Sequence, residues 1–293
     1  MGGIDLGSEE KGKVVQVADG FWILATSHHP GGNPGMPEIN NRAMIFRLKD
    51  NGEDVLAVFN AVDPGQMGKV HDLEKETGLS VKYVVSVGGG HHLLMNDWHD
   101  AFPEAQLKLG PIRVPRTTNG KVLMAMDRVS TMDLDDPLPQ FGDELELVLF
   151  RGLTAGKDLR SVLEGASGGM LDQMAFMKEM MLGMKDPYDE LWLFHKATGT
   201  LVGGENLGWM FTADEHKALP MMFRSLMKTK EIYIMEKFRF VGDATAVAAC
   251  WSKILAWPAQ TILSYHDTPG VGFTEGAHEA LKTAVAATKQ ASA

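Results

Sequence analysis

The sequence has one cysteine, Cys250. A lone thiol excludes an intrachain disulfide and any multi-cysteine zinc cluster. Its neighbours Ala248, Ala249 and Trp251 point to a packed helix and a buried, inert side chain. Basic charge is also in short supply: 28 Lys and Arg against 38 Asp and Glu leave a net charge of −10. That balance, without a basic stripe, argues against nucleic acid and against anionic membranes as partners. No uncharged apolar run approaches the ~20 residues that span a bilayer. Met1 to Lys13 carries glycines and charges but no apolar stretch of the secretory kind, so a cytoplasmic location is expected.

What remains is ordinary soluble-protein material. The 293 residues are 44% hydrophobic, enough for a substantial core. Early apolar or alternating runs (Val14 to Val17, Phe21 to Thr26, Ala43 to Leu48, Val55 to Phe59) read as strands, with Lys49-Asp50-Asn51-Gly52 as a hairpin turn. Helices are expected from His71 to Thr77, Leu93 to Phe102, Ala213 to Met227 (bent or broken at Pro220), Ala244 to Ala256 and Glu275 to Thr288. Between Leu159 and Met184, methionines such as Met170, Met174, Met177 and Met181 recur at helical spacing. Core packing is the preferred role for that face, with a pocket lid or homodimer contact as the alternative. The chain is therefore expected to be a single domain over 1–293, with a Met-rich helical insertion around 154–189.

Chemistry concentrates at strand ends. Ser86-Val87-Gly88-Gly89-Gly90-His91-His92 closes an apolar, β-branched run, Val81 to Val87, and opens a helix. Glu205 follows Thr200-Leu201-Val202, and His266 follows Thr261-Ile262-Leu263-Ser264-Tyr265. Open α/β folds gather ligands at the carboxyl ends of their strands. Three such ends offering His-His, Glu and His would enclose one metal ion. The bland alternative is two histidines satisfied by backbone hydrogen bonds and Glu205 paired with a lysine. Neither Gly165-Ala166-Ser167-Gly168-Gly169 nor Gly88-Gly89-Gly90 has the context that a nucleophile elbow or a phosphate loop requires.

The order of elements resembles the metallo-β-lactamase superfamily, most strongly over residues 80–107, 190–206 and 259–285. The resemblance implies an α/β fold, a four-layer αββα sandwich with metals held at one edge. That family's signature is Thr-His-x-His-x-Asp-His after a buried strand, then a further histidine, an aspartate after a hairpin and a late histidine. Here Ser86 takes the threonine's place, and Val87 and Gly89 fall where the first two histidines belong. His91 replaces the aspartate and His92 matches the last histidine. Glu205 stands for the later aspartate and His266 for the late histidine. The mid-chain histidine expected near Arg151 to Gly156 is missing.

Valine and glycine offer no donor atom, so the first of the family's two metal positions cannot form in the usual way. The second keeps His91, His92, Glu205 and His266. Three neutral imidazoles and a carboxylate suit one divalent ion, Fe(II), Zn(II) or Mn(II), held singly or in an atypical dinuclear arrangement. His28 and His29, in the loop Ser27 to Asn41 beside the expected site, and Trp209 are candidate pocket residues. A structural role is expected for His195. The resemblance implies metal-assisted hydrolysis of a small molecule. The alternatives are a non-haem iron oxygenase or oxidoreductase using the same three-His-one-Glu set, and a degenerate binding protein without catalysis.

Overall fold

A computed structural model describes residues 3–28, 38–88, 91, 95–110, 117–118, 121–122, 129–154, 188–204, 206–208, 210–219, 224, 228–229, 231–235 and 240–288. The strands begin with β1 (Val14–Ala18), β2 (Phe21–His28), β3 (Ile39–Asp50), β4 (Glu53–Phe59), β5 (Val81–Val85) and β6 (Gln106–Leu109). Short strands follow: β7 (Thr117–Thr118), β8 (Lys121–Val122) and β9 (Val129–Thr131). Then come β10 (Leu145–Thr154), β11 (Tyr188–His195), β12 (Thr200–Gly203), β13 (Met210–Phe211), β14 (Lys228–Thr229), β15 (Phe240–Val241) and β16 (Thr261–Ser264). Helices are α1 (Met67–Thr77), α2 (Met95–Ala101), α3 (Ala213–Ala218), α4 (Ala244–Ile254) and α5 (Ala277–Ala286).

Two sheets dominate, one of seven strands in the order β1-β2-β3-β4-β5-β6-β9 and one of five in the order β15-β10-β11-β12-β16. β1 to β4 form an antiparallel meander, and β5, β6 and β9 extend it in parallel. The β3–β4 turn places Asn51 and Gly52 at φ 51° and 87°, the left-handed pair that an Asn-Gly hairpin supplies.

β3 and β4 are apolar on both faces because both faces are covered. Met44, Phe46 and Phe59 point into a cluster shared with Leu149, Leu191, Leu193 and Val202 of the second sheet. Ala43, Ile45, Leu56 and Val58 point the other way, onto Met67, Val70 and Leu73 of α1 and Trp98 of α2. A further cluster joins Val148 and Trp192 on the outer face of the second sheet to Val247 and Trp251 of α4 and Leu281 of α5. Helix, sheet, sheet, helix: the fold is the four-layer αββα sandwich. Among the described residues, no helix is long and apolar enough to cross a membrane.

Several expected boundaries change: α1 starts at Met67 rather than His71, and α3 ends at Ala218 rather than at Met227. The stretch Ser27 to Asn41 reads as a loop because its ends are polar, yet Thr26, Ser27 and His28 pair with Asn41, Asn40 and Ile39. Tertiary hydrogen bonding outweighs the weak strand preference of asparagine there. His28 therefore closes a strand rather than lying in a loop, and His29 lies outside the described residues. The methionine-rich segment within 154–189 lies outside them as well. Cys250 is buried, its Sγ 3.7 Å from the Leu149 carbonyl, and burial pushes its thiol up.

His195 closes β11 inside the inter-sheet core. Its ring lies 5.7 Å from that of Phe21 and 5.0 Å from that of Phe46, and Nδ1 is 2.9 Å from Thr198 Oγ1. Burial lowers its pKa from 6.5 to about 4. The folded state thus binds this proton less tightly than the unfolded chain, so stability from the neutral ring is complete above pH 6.5 and lost as pH falls towards 4. The gap corresponds to about 3 kcal/mol at ~1.4 kcal/mol per unit. His195→Phe should remove that slope in urea titrations run between pH 4 and 7. An unchanged slope would place the acid sensitivity elsewhere.

Candidate metal centre

The carboxyl ends of β4, β5, β12 and β16 meet at one edge of the sandwich. After β5, the Ser86 N–H donates to the Lys108 carbonyl at 2.9 Å, and the His91 N–H donates to the Gly88 carbonyl at 3.0 Å. That turn leaves His91 buried. Its Nδ1 is 2.8 Å from Asn60 Oδ1. Asn60 Nδ2 donates to the Arg42 carbonyl at 2.8 Å and to Asn41 Oδ1 at 2.6 Å, so the amide oxygen must face the histidine. His91 Nδ1 is therefore the donor, which in the neutral ring leaves the lone pair on Nε2.

Asn60 follows β4 with φ at 77°, fully buried. Asparagine tolerates this left-handed geometry better than most residues, and its side chain here satisfies three groups at once.

His266 is held in the same way from another direction. Its Nδ1 is 2.7 Å from the Asn40 carbonyl, which can only accept, so in the neutral ring Nε2 again bears the lone pair. The turn that carries it is pinned throughout. Arg42 N–H donates to the Tyr265 carbonyl at 2.8 Å, and Asp267 accepts from Ser264 N and Met210 N, both at 2.7 Å. The buried Arg42 guanidinium donates to Glu9 at 2.6 and 2.7 Å, to Asp267 Oδ2 at 3.3 Å, and to the Thr268 and Val271 carbonyls, both at 2.8 Å. Burial pushes Asp267 up to about 6, against the Arg42 charge and the two N–H donors that pull it down.

A single strand segment, Asn40 to Arg42, thus orients both imidazoles. Their ring centroids are 5.0 Å apart. Two imidazoles bound through nitrogen at about 2 Å to one ion have centroids roughly 5 Å apart, so this pair fits a shared cation. Fixing Nδ1–H on an oxygen acceptor is also how metal-binding histidines are commonly oriented.

A fully buried carboxylate adjoins this pair. Glu190, at the start of the apolar part of β11, accepts from Trp192 Nε1 at 3.0 Å and from Asn206 N at 2.7 Å. Tyr265 is also buried, its ring centroid 5.9 Å from that of His91, and its hydroxyl has no hydrogen-bond partner among the described residues. Burial first, then the Glu190 charge, hold that hydroxyl well above the usual tyrosine range.

Of the sequence candidates, His91 and His266 come together. His92, Glu205, His29 and Trp209 lie outside the described residues, and His28 is described through its backbone only. Among the described residues no group of three or more His, Cys, Asp or Glu forms a metal site. The sequence reading did not single out Asn60, Arg42, Glu190, Tyr265 or Asp267. Signals were present: Arg42 and Glu190 are charges at the rims of apolar strands, where an unpaired charge would be expensive to bury.

No protein-family model matches the sequence, and no curated protein matches it. Solved structures do. The metallo-beta-lactamase FIM-1 from Pseudomonas aeruginosa, in a mono-zinc form, superposes with a TM-score of 0.52 at 11% identity, over 96% of this chain and 98% of that one. A metallo beta lactamase from Erythrobacter litoralis gives 0.49 at 14% identity over 96% and 97% of the two chains. One from Hirschia baltica gives 0.48 at 8% over 92% and 96%.

Proposed function

We propose that this chain, which has the metallo-β-lactamase fold, holds one divalent cation through His91, His92, Glu205 and His266 and is a hydrolase acting on a small molecule. The observation that carries the reading is the pair His91 and His266, 5.0 Å apart, each with Nδ1 committed to an oxygen acceptor. Bound there, a cation polarises a carbonyl or phosphoryl oxygen and lowers the pKa of water. Asn60 and the Asn40 carbonyl keep the two rings in the donor tautomer, and Asp267 with Arg42 keeps the His266 turn closed. The acidic balance of the chain gives no support to a polyanionic substrate such as nucleic acid.

Metal analysis tests this on protein purified without chelator or added metal. The expected content is about one ion per chain, falling to almost none in His92→Ala. Zinc or manganese is the expected metal; iron would turn the reading from hydrolysis to oxidation. Full loading of His92→Ala would refute the ligand set, and a metal-free wild type that takes up no added cation would refute the site.

A further inference from the structure

We infer that Glu190 is a positioning residue for the metal centre: its buried carboxylate is the template that holds the ligand-bearing turns in register. The inference rests on the cation site proposed above. It starts from an anomaly of composition. A carboxylate with no exposed surface sits in a strand directly before the apolar run Leu191, Trp192, Leu193 and Phe194. Burying such a group is costly unless its oxygens are satisfied. Both oxygens are engaged, one by the Trp192 indole N–H and one by the backbone N–H of Asn206.

The residue touches two of the segments from which ligands are drawn. Its backbone bridges to Gly88, and the next N–H, that of Leu191, donates to the Val87 carbonyl at 2.8 Å, which fixes the stem of the turn carrying His91. Its side chain lies flat against Gly204, where an added Cβ would meet Glu190 Cδ at 2.8 Å and Cβ and Oε2 at 2.9 Å. Gly204 and Asn206, one pressed onto the carboxylate and the other bonded to it, are the two neighbours of Glu205. The Glu190 charge also reaches Tyr265, the residue before His266. A hydrophobic residue of equal volume would satisfy the core but could not accept from Asn206. Ordinary stabilisation therefore does not explain a carboxylate here, whereas alignment of the turns on either side of it does.

The chemistry of the two donors supplies a sharp test. Trp192 Nε1–H and the Asn206 N–H both need an acceptor. An amide offers only one oxygen, so Glu190→Gln must set its NH2 against one of the two N–H groups. Removing the indole N–H as well, in Glu190→Gln with Trp192→Phe, lets the amide turn its oxygen to Asn206 and its NH2 to the vacated side. The negative charge stays absent in both, so recovery reports hydrogen-bonded placement and not charge.

Zn(II) affinity of the full chain is measured by competition with a chromophoric chelator, with urea unfolding of the metal-free proteins in parallel. Glu190→Gln is expected to bind Zn(II) about 10- to 100-fold more weakly than wild type, the range for a residue that orients ligands. The double variant should recover most of that loss although Trp192→Phe alone leaves affinity unchanged and lowers stability. Should Glu190→Gln not fold, Gly204→Ala presses on the same carboxylate from the other side and should weaken Zn(II) binding in the same direction. Wild-type affinity in Glu190→Gln, or in Gly204→Ala where that is the only folded variant, overturns the positioning role while leaving the cation site standing. So does a double variant that binds no better than Glu190→Gln. A wild type that binds no Zn(II) ends both.

Discussion

Arg42→Met should be close to unfolded at neutral pH. The guanidinium is fully buried, binds Glu9 with both oxygens, reaches Asp267, and caps two carbonyls of the turn after His266. Methionine fills much of the volume and supplies none of those donors. Removing one partner of a buried ion pair costs about 3–5 kcal/mol, because the charge left behind has neither water nor a counter-ion. A domain of this kind has about 5–15 kcal/mol to lose. The pH dependence identifies the cause. Asp267 already has its pKa raised to about 6 with Arg42 present. A carboxylate raised in the fold binds its proton more tightly there than in the unfolded chain. Its favourable contribution is therefore complete below about pH 4 and disappears as pH rises through 6. Without Arg42 the rise is steeper, so the variant should regain stability at pH 5 relative to pH 8. Neutralising the partners, in Arg42→Met with Glu9→Gln and Asp267→Asn, should recover part of the loss at both pH values. Urea midpoints for the three proteins at the two pH values decide it; a single Arg42→Met variant as stable as wild type at pH 8 would show the cluster to be idle.

Asp267 and His195 oppose one another in mildly acidic solution. As pH falls from 6.5 towards 4, the raised carboxylate adds stability while the lowered imidazole removes it. A flat profile in the wild type would therefore conceal two steep ones.

The architecture was legible because its signals are local. Val55 to Phe59 is apolar at every position, and a strand covered on both faces has no other sequence to choose. Helix α1 ends on Gly78 at φ 71°, the stop that the sequence shows, although it starts at Met67, a turn before the expected His71. His91 and His266 were legible for a related reason: a histidine directly after a buried strand stands where folds of this class place ligands. The groups that orient them were not. His266 is fixed by a carbonyl 226 residues away, and His91 by an amide 31 residues away. No periodicity announces such pairings. Asn40 and Asn41 looked like loop residues because asparagine usually is one, and only the register with Thr26 and Ser27 makes them strand. Glu190 directly precedes the apolar run Leu191 to Phe194, and a carboxylate there with no exposed surface needs partners that the sequence does not name.

Asn60 should prove highly sensitive although it lies outside the ligand set, and two substitutions separate its two tasks. Its backbone lies at φ 77°, and its amide accepts from His91 while donating to the Arg42 carbonyl and Asn41. Glycine takes the left-handed backbone at no steric cost but has no side chain. Alanine lacks the amide too and carries about 1–2 kcal/mol of steric strain at that angle. Both variants leave the His91 Nδ1–H and the Arg42 carbonyl buried without this partner, each worth about 1–3 kcal/mol. Asn60→Gly and Asn60→Ala should therefore lose cation affinity alike, by about 10- to 100-fold as His91 is released from its tautomer. They should differ in stability, with Asn60→Ala unfolding at lower urea. Cation competition and urea melts on the same preparations read the two effects separately. Equal affinity in wild type and Asn60→Gly would mean that His91 is oriented by something else, and the coupling of β4 to the centre would fail at its first link.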